Sequence, residues 1–411
     1  MISDSLGRFE PMLSCLKYWV VKHARVAIMK STFYSFVCLL LFGSATLLGF
    51  WWKATQFVPR VASHLHNIID NRFHPSFLRK YKNPCFDDVR SSDHGTTANE
   101  TSTLLCFPYF VMPGFPKCGT TDLYTRLSKH PQIKWEHPKE PDLLHRHMYK
   151  YDNFGEAVHQ YYVPLFRPSI HRLQENFDVD KDGTLIYTGI IGDASVDYAF
   201  NNSRWQDFPG NKGVKEPRLT HAHFMYSLYP KMKVIFMLRE PVERLYSDYI
   251  FEARAIGYKR SPKNFHQSAL KFIKDFNECL RLNTRRGCAY NRTFESYEIR
   301  LRAGMYHIFV NDWIQVFGKE NVLVLMSETT KAANQRLNSI RQIVKFLEIE
   351  PFSLTEEKHL YDEKLVNVRL PEERSIGDML SCTRELLQVF YAPFNIELTK
   401  MFPYIDYNSF Y

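Results

Sequence analysis

The chain has 411 residues, 45% hydrophobic and 24% charged. That composition excludes a disordered or fibrous protein, and the length suffices to bury a large core. Lys and Arg outnumber Asp and Glu by 53 to 44, a net charge of +9, which suits an anionic partner. The basic residues are scattered and form no zinc-finger or RNA-binding pattern, so nucleic acid is not expected.

Residues 1–30 carry Lys17, Lys22, Arg25 and Lys30 ahead of an uncharged segment. Residues 31–52 contain no charged side chain and end in Trp51 and Trp52. At ~1.5 Å per residue such a helix would span ~33 Å, enough for a bilayer core. Fewer basic residues follow the segment than precede it, which predicts an uncleaved signal anchor with a cytosolic tail at 1–30 and a luminal body. The patterns at Asn99, Asn201 and Asn291 are glycosylation acceptors and agree with that topology. Six cysteines lie beyond the segment. Cys279 and Cys288 bracket a short polar stretch that a disulfide could close. No CxxC pair is present, and no metal is expected.

Residues 53–104 read as a polar stem, and 105–411 as the folded body. Phe107 to Met112 is a nearly continuous apolar run, as in a buried parallel strand. A glycine-bearing turn follows, then a helix from Asp122 to Lys129. Leu185 to Ile191 reads as a second strand. Lys233 to Leu238 is a third, with a helix through Tyr249. Val322 to Met326 is a fourth, with a helix ending near Leu347. Strands alternating with helices predict an α/β fold, a parallel sheet flanked by helices.

The segment Phe115-Pro116-Lys117-Cys118-Gly119-Thr120-Thr121 lies between a strand and a helix. Such a turn aims backbone N–H groups and the positive end of the helix at one point, which suits phosphate. It is not the triphosphatase loop, because Gly119 is followed by Thr120 and the lysine stands ahead of the glycine. A nucleotide kinase is thereby disfavoured.

This segment resembles the 5′-phosphosulfate loop of the Golgi carbohydrate sulfotransferase family. Leu238-Arg239-Glu240-Pro241-Val242-Glu243-Arg244-Leu245-Tyr246-Ser247 resembles that family's 3′-phosphate element. The resemblance runs from Phe107 to Asn395. It is greatest to the branch that sulfates the 6-O of N-acetylgalactosamine 4-sulfate, with support from Lys139-Glu140-Pro141, Gly192-Asp193-Ala194-Ser195 and Val366 to Arg374. Two positions depart from that branch. Asp193 stands where glutamate is usual, and Asp142-Leu143-Leu144 stands where bulky aromatics are usual.

The resemblance implies a phosphate-loop sulfotransferase fold, in the Golgi membrane, with 3′-phosphoadenylyl sulfate as donor and an anionic glycosaminoglycan as acceptor. It implies that Lys117, Cys118, Gly119, Thr120 and Thr121 hold the 5′-phosphosulfate, with Lys117 on the leaving oxygen. Arg239 and Ser247 would hold the 3′-phosphate, and Arg369 would lie on a loop closing over the nucleotide. Glu140 would take the acceptor's proton. His145, Arg146 and Asp193 would face the acceptor. Arg244 is expected to pair internally with Glu240 or Asp248, and Lys215 to Arg218 to be solvated. The alternative, a non-catalytic glycan-binding protein on a degenerate fold, is opposed by the presence of Lys117, Glu140, Arg239 and Ser247 together.

Overall fold

The computed structural model describes residues 75–88, 103–256, 260–327, 332–366 and 369–405. Its centre is a four-stranded parallel sheet. The strands are β3 (Phe110–Gly114), β6 (Gly192–Asp193), β7 (Lys233–Leu238) and β8 (Val322–Met326), in the order β6-β3-β7-β8. Two antiparallel pairs flank it. One joins β1 (Cys85–Asp88) to β2 (Thr103–Cys106), and the other joins β4 (Phe177–Val179) to β5 (Leu185–Tyr187). All five β3 residues and all but Lys233 of β7 are buried, as strands covered on both faces must be.

The helices that place the site are α1 (Thr120–Leu127), α2 (His221–Leu228), α3 (Pro241–Ile256), α4 (Pro262–Cys279), α5 (Tyr306–Phe317), α6 (Ala333–Phe346) and α7 (Ser381–Met401). Helix α3 starts directly after β7, and Glu240 fixes that start. Its carboxylate accepts from the backbone N–H of Val242 at 3.0 Å and of Glu243 at 2.6 Å. An anion there also complements the helix dipole.

Behind the sheet ends lies an aromatic cluster. The buried Phe115 ring sits 4.8 Å from Tyr306 and 5.7 Å from Phe236, and Phe236 sits 6.1 Å from Trp313. Burial of a phenylalanine contributes roughly 1.5–3 kcal/mol, so the loop after β3 is rooted in the core.

Strands β7 and β8 lie where the apolar runs predict them. The run at Phe107–Met112 forms its strand three residues later, at Phe110–Gly114. The run at Leu185–Ile191 divides. Leu185–Tyr187 joins the outer hairpin, where Phe177 and Val179 are exposed, and the sheet strand is Gly192–Asp193. Glycine at 192 has a steric cause, since a Cβ there would lie 2.3 Å from the Phe110 ring. Disulfides join Cys85 to Cys106 and Cys279 to Cys288, the second closing the loop expected from spacing.

The expectation of a membrane-anchored Golgi protein with a transmembrane helix is corrected. Among the described residues no helix is long and apolar enough to cross a membrane. The longest, α7, carries Arg384, Glu385, Glu397 and Lys400, and α4 carries Lys263, Lys271, Lys274 and Asp275. Residues 31–52, on which the anchor, the membrane partner and the Golgi location rested, lie outside the described residues, as does Asn99.

Candidate active site

The loop after β3 ends in two left-handed residues, Lys117 (φ 64°) and Gly119 (φ 83°). Gly119 occupies the N-cap of α1 and offers no side chain to it, so no cap takes up the first N–H groups of the helix. That is the arrangement an anion requires. Thr120 is buried and Thr121 half-buried at the same end. Cys118 is buried, with Sγ 3.7 Å from both the Pro116 carbonyl and the Tyr306 hydroxyl. A thiol packed in this way fills space and leaves the loop's backbone to meet a ligand.

The Lys117 ammonium rests 3.8 Å from the centre of the Phe251 ring, a cation–π contact. Burial lowers its pKa below the usual lysine range, against the opposing pull of Asp248 and Glu373. Phe251 and Ser247 stand four residues apart, on one face of α3. Lys117 therefore lies over the helix that carries Ser247.

Arg239, at the end of β7, donates through NH1 to the Lys117 carbonyl at 3.3 Å. The Tyr306 hydroxyl donates to the Arg239 carbonyl at 2.9 Å. The two phosphate elements expected from sequence are thus joined directly, with Tyr306 bracing both from behind.

The chain around Arg369 covers the same place. The Arg369 guanidinium lies 6.0 Å from the Tyr246 ring, beside Ser247. The approach to it is tied to α1. Arg126 pairs with Asp122 at 2.8 Å and with Glu363 at 3.2 Å, and donates to the carbonyls of Leu360 and Lys364. Asp122 also accepts from the Val366 N–H at 2.9 Å. Asn367, the position two before Arg369, lies outside the described residues.

On the other side, the chain from Lys139 to His147 is pinned to the segment after β6. The Asp142 N–H donates to Ser195 Oγ at 3.0 Å, and the Leu143 N–H to the Tyr198 hydroxyl at 2.8 Å. Glu140 is exposed and paired with Lys139. Arg146 is exposed and lies 3.5 Å from Asp142. His145 meets the Asn201 side chain at 3.2 Å, and its pKa is lowered to about 4 by burial, helped by Arg146 and Arg300. Asp193 is fully buried. Its carboxylate accepts from Tyr162 at 2.6 Å and from the Ser195 hydroxyl at 2.7 Å. The acceptor-facing role expected for Asp193 therefore falls on a side chain with no free surface, which acts as an internal brace.

A buried network underlies α3. Arg244 pairs with Asp248 at 3.2 Å, one of the two partners expected for it. Arg300 donates through Nε to Asp248 at 2.9 Å and reaches Glu252 at 3.3 Å. Burial alone would raise Asp248, but the two guanidiniums outweigh it and hold the carboxyl below its usual range. Lys215 to Arg218 is not simply solvated, since Glu216 accepts from Thr284 and pairs with Arg286 at 3.4 Å. Among the described residues no group of three or more His, Cys, Asp or Glu is placed to hold a metal ion.

A phosphate-ready loop and a second basic element at adjacent strand ends are joined through Arg239, and the family model for the sulfotransferase domain matches residues 108–368. The chain belongs to the sulfotransferase family. It is 32% identical to human carbohydrate sulfotransferase 15 over 327 residues, 77% of this chain and 57% of that protein. The mouse protein of the same name is 33% identical over 306 residues, 72% and 54% of the two chains. The chain thus spans about half the length of these relatives. It is also 24% identical to human bifunctional heparan sulfate N-deacetylase/N-sulfotransferase 3, covering 78% of this chain and 32% of that one. Among solved structures, the chain aligns with a sulfotransferase from Alicyclobacillus acidocaldarius at TM-score 0.45 and 24% identity, over 74% of this chain and 98% of that one.

Several side chains around these residues were not singled out from the sequence. Tyr306 stands in no motif, and its hydroxyl contacts are visible only in three dimensions. Arg300 and Phe251 carry no local pattern that marks them. Asp197 lies two residues beyond the Gly192–Ser195 segment, whose resemblance could have drawn attention to it.

Proposed function

We propose that the protein transfers a sulfuryl group from 3′-phosphoadenylyl sulfate to a sugar hydroxyl of a glycosaminoglycan, foremost the 6-O of N-acetylgalactosamine 4-sulfate in chondroitin or dermatan sulfate. Membership of the sulfotransferase family implies the donor, and similarity to proteins named carbohydrate sulfotransferase supports a sugar acceptor. The observation that carries the reading is the bond between Arg239 and the Lys117 carbonyl, which joins two anion-binding elements as a nucleotide with separate 5′ and 3′ phosphates requires.

In this reading the N-terminal N–H groups of α1, with Thr120 and Thr121, hold the 5′ end of the donor. Lys117 leaves the Phe251 ring and neutralises charge on the departing phosphate oxygen. Arg239 grips the 3′-phosphate through its fork of donors, with Ser247 adding a hydroxyl. Arg369 closes over the nucleotide. Glu140 takes the proton of the attacking hydroxyl when the sugar displaces water and Lys139 from it. Arg146 and His145 line the acceptor side. The donor supplies an activated sulfuryl group with a phosphate leaving group, so the protein's part is positioning and charge stabilisation.

The test is sulfate transfer by the purified protein from radiolabelled 3′-phosphoadenylyl sulfate to a panel of glycosaminoglycans. Label in chondroitin 4-sulfate, at the 6-O position, is the expected result. Label only in heparan-type chains would overturn the acceptor and keep the chemistry. No transfer and no donor binding by the folded protein would overturn both.

A further inference from the structure

Asp197 differs from every other carboxylate around the site. Asp193 is taken up by Tyr162 and Ser195, Asp248 by Arg244 and Arg300, Asp122 by Arg126, and Glu140 by Lys139. Asp142 lies 3.5 Å from Arg146. No hydrogen bond or ion pair from another described residue reaches the Asp197 carboxylate, although its residue is largely sheltered from solvent. A half-buried carboxylate without a protein partner is open to a ligand's donor, and shifted carboxylates concentrate at functional sites.

Its position is fixed by the fold. The segment after β6 runs beside the phosphate loop. The Ala199 N–H donates to the Pro113 carbonyl at 2.9 Å, and the Phe200 ring stacks on Phe115 at 6.2 Å. The Asp197 carbonyl accepts from the Asn201 N–H at 2.9 Å, and Asn201 in turn meets His145. Ser195 and Tyr198, on either side, hold the chain at Asp142 and Leu143. Asp197 is thus rooted between the loop that carries Lys117 and the chain that carries Glu140, Asp142 and Arg146. Arg300, Glu140, Asp248, Arg146 and Asp142 are the charged groups that act on it, and burial raises its pKa with Arg300 opposing.

We propose that Asp197 is an acceptor-binding carboxylate, which accepts a hydrogen bond from a sugar hydroxyl beside the one that is sulfated. A hydroxyl is the donor this place favours. It supplies the missing hydrogen bond without adding negative charge next to Glu140 and Asp142. A sulfate at the same spot would stand among the carboxylates of Asp197, Glu140 and Asp142, with Arg300 and Arg146 only partly offsetting them. The sugar is therefore read on this side by its free hydroxyls, and any sulfate it carries lies toward Arg146. A site built to pair with a hydroxyl discriminates strongly against sugars that lack it.

This inference rests on the proposed sulfotransferase activity. It is tested with the full chain and with Asp197→Ala and Asp197→Asn. Binding of adenosine 3′,5′-bisphosphate is measured by calorimetry, and kcat and KM are measured with chondroitin 4-sulfate and unsulfated chondroitin, using the better acceptor. Asp197→Ala should raise the acceptor KM roughly 10- to 100-fold, the effect of one hydrogen bond to a charged group. Bisphosphate affinity should stay within about twofold. Asp197→Asn, whose amide oxygen still accepts, should fall between the two. An unchanged acceptor KM in Asp197→Ala overturns the proposal, as does an equal loss of bisphosphate affinity. A fall in kcat with unchanged KM and loss of the acidic limb of the pH profile would make Asp197 the proton acceptor and overturn its anchoring role. If the wild type binds no bisphosphate and labels neither acceptor, the underlying activity falls and this proposal with it.

Discussion

Arg239 donates to the carbonyl oxygen of Lys117 at 3.3 Å, across 122 residues of sequence. The contact sets the spacing of the two anion-binding elements before any nucleotide arrives. In the proposed reading, donor binding then needs Lys117 to leave the Phe251 ring and Arg369 to close over the nucleotide. A site ordered in advance loses less entropy on binding.

Lys117→Ala should lower kcat about a hundred- to a thousandfold, the usual cost of removing one charge-stabilising donor. The thermal midpoint should hold, because the ammonium makes no ion pair among the described residues and its methylene stem is only partly buried. Turnover near the wild-type rate would remove Lys117 from the mechanism.

Arg239→Ala should weaken adenosine 3′,5′-bisphosphate binding about ten- to a hundredfold, as expected for lost hydrogen bonds between charged partners. Arg239→Lys should recover only part of it, since an ammonium cannot form the paired bonds of a guanidinium. Calorimetry at fixed salt reads this directly. Equal affinity in Arg239→Ala would move the 3′-phosphate elsewhere.

Tyr306→Phe keeps the ring packed against Phe115 but removes the hydroxyl that donates to Arg239 and approaches Cys118. Stability should fall by about 1 kcal/mol, or ~1.5 °C in a domain of this size. Bisphosphate affinity should fall with it, because the Arg239 carbonyl loses its brace. A lower melting point with unchanged affinity would confine Tyr306 to packing.

Acid should destabilise the fold below neutral pH. Burial lowers His137, His145, His223 and His307 to about 4 and His221 to about 3. Each is neutral in the folded state and protonated in the unfolded chain once pH drops below about 6.5, the ordinary histidine value. Their contribution is therefore present above 6.5 and lost as pH falls toward 4. Asp142 and Asp193, both pushed up to about 6 chiefly by burial, act in the opposite sense over part of that window. Asp197 and Asp312, also raised by burial, join those two, and His130, His147 and His266, also lowered by burial, join the five, so eight groups against four leave a net loss. The urea midpoint should fall steadily from pH 7.5 through 6 to 5, and a level or rising midpoint would contradict this account.

Non-reducing peptide mapping should find Cys85 joined to Cys106 and Cys279 to Cys288, with Cys118 and Cys382 as free thiols. Cys118 should resist alkylation in the folded protein, being fully buried. Rapid labelling of Cys118 without unfolding would mean that the phosphate loop opens.

Strands β7 and β8 are legible residue for residue, because an unbroken apolar run flanked by polar residues encodes a strand buried on both faces. The turn between β3 and α1 is legible for a similar reason. Strand, turn and helix start are adjacent in the chain, so their chemistry is local. Other features were settled only by tertiary packing. Leu185–Tyr187 has a strand's composition, yet it pairs in the outer hairpin, because only Gly192 leaves room for the Phe110 ring beside β3. Glu140 is matched by motif, but its exposure and its pairing with Lys139 depend on how the chain after it is pinned to Ser195 and Tyr198. Arg300 meets Asp248 across 52 residues, and Arg126 meets Glu363 across 237. Periodicity and propensity act over a few residues and so specify elements. Which charges meet is decided when those elements pack, and no local pattern records it.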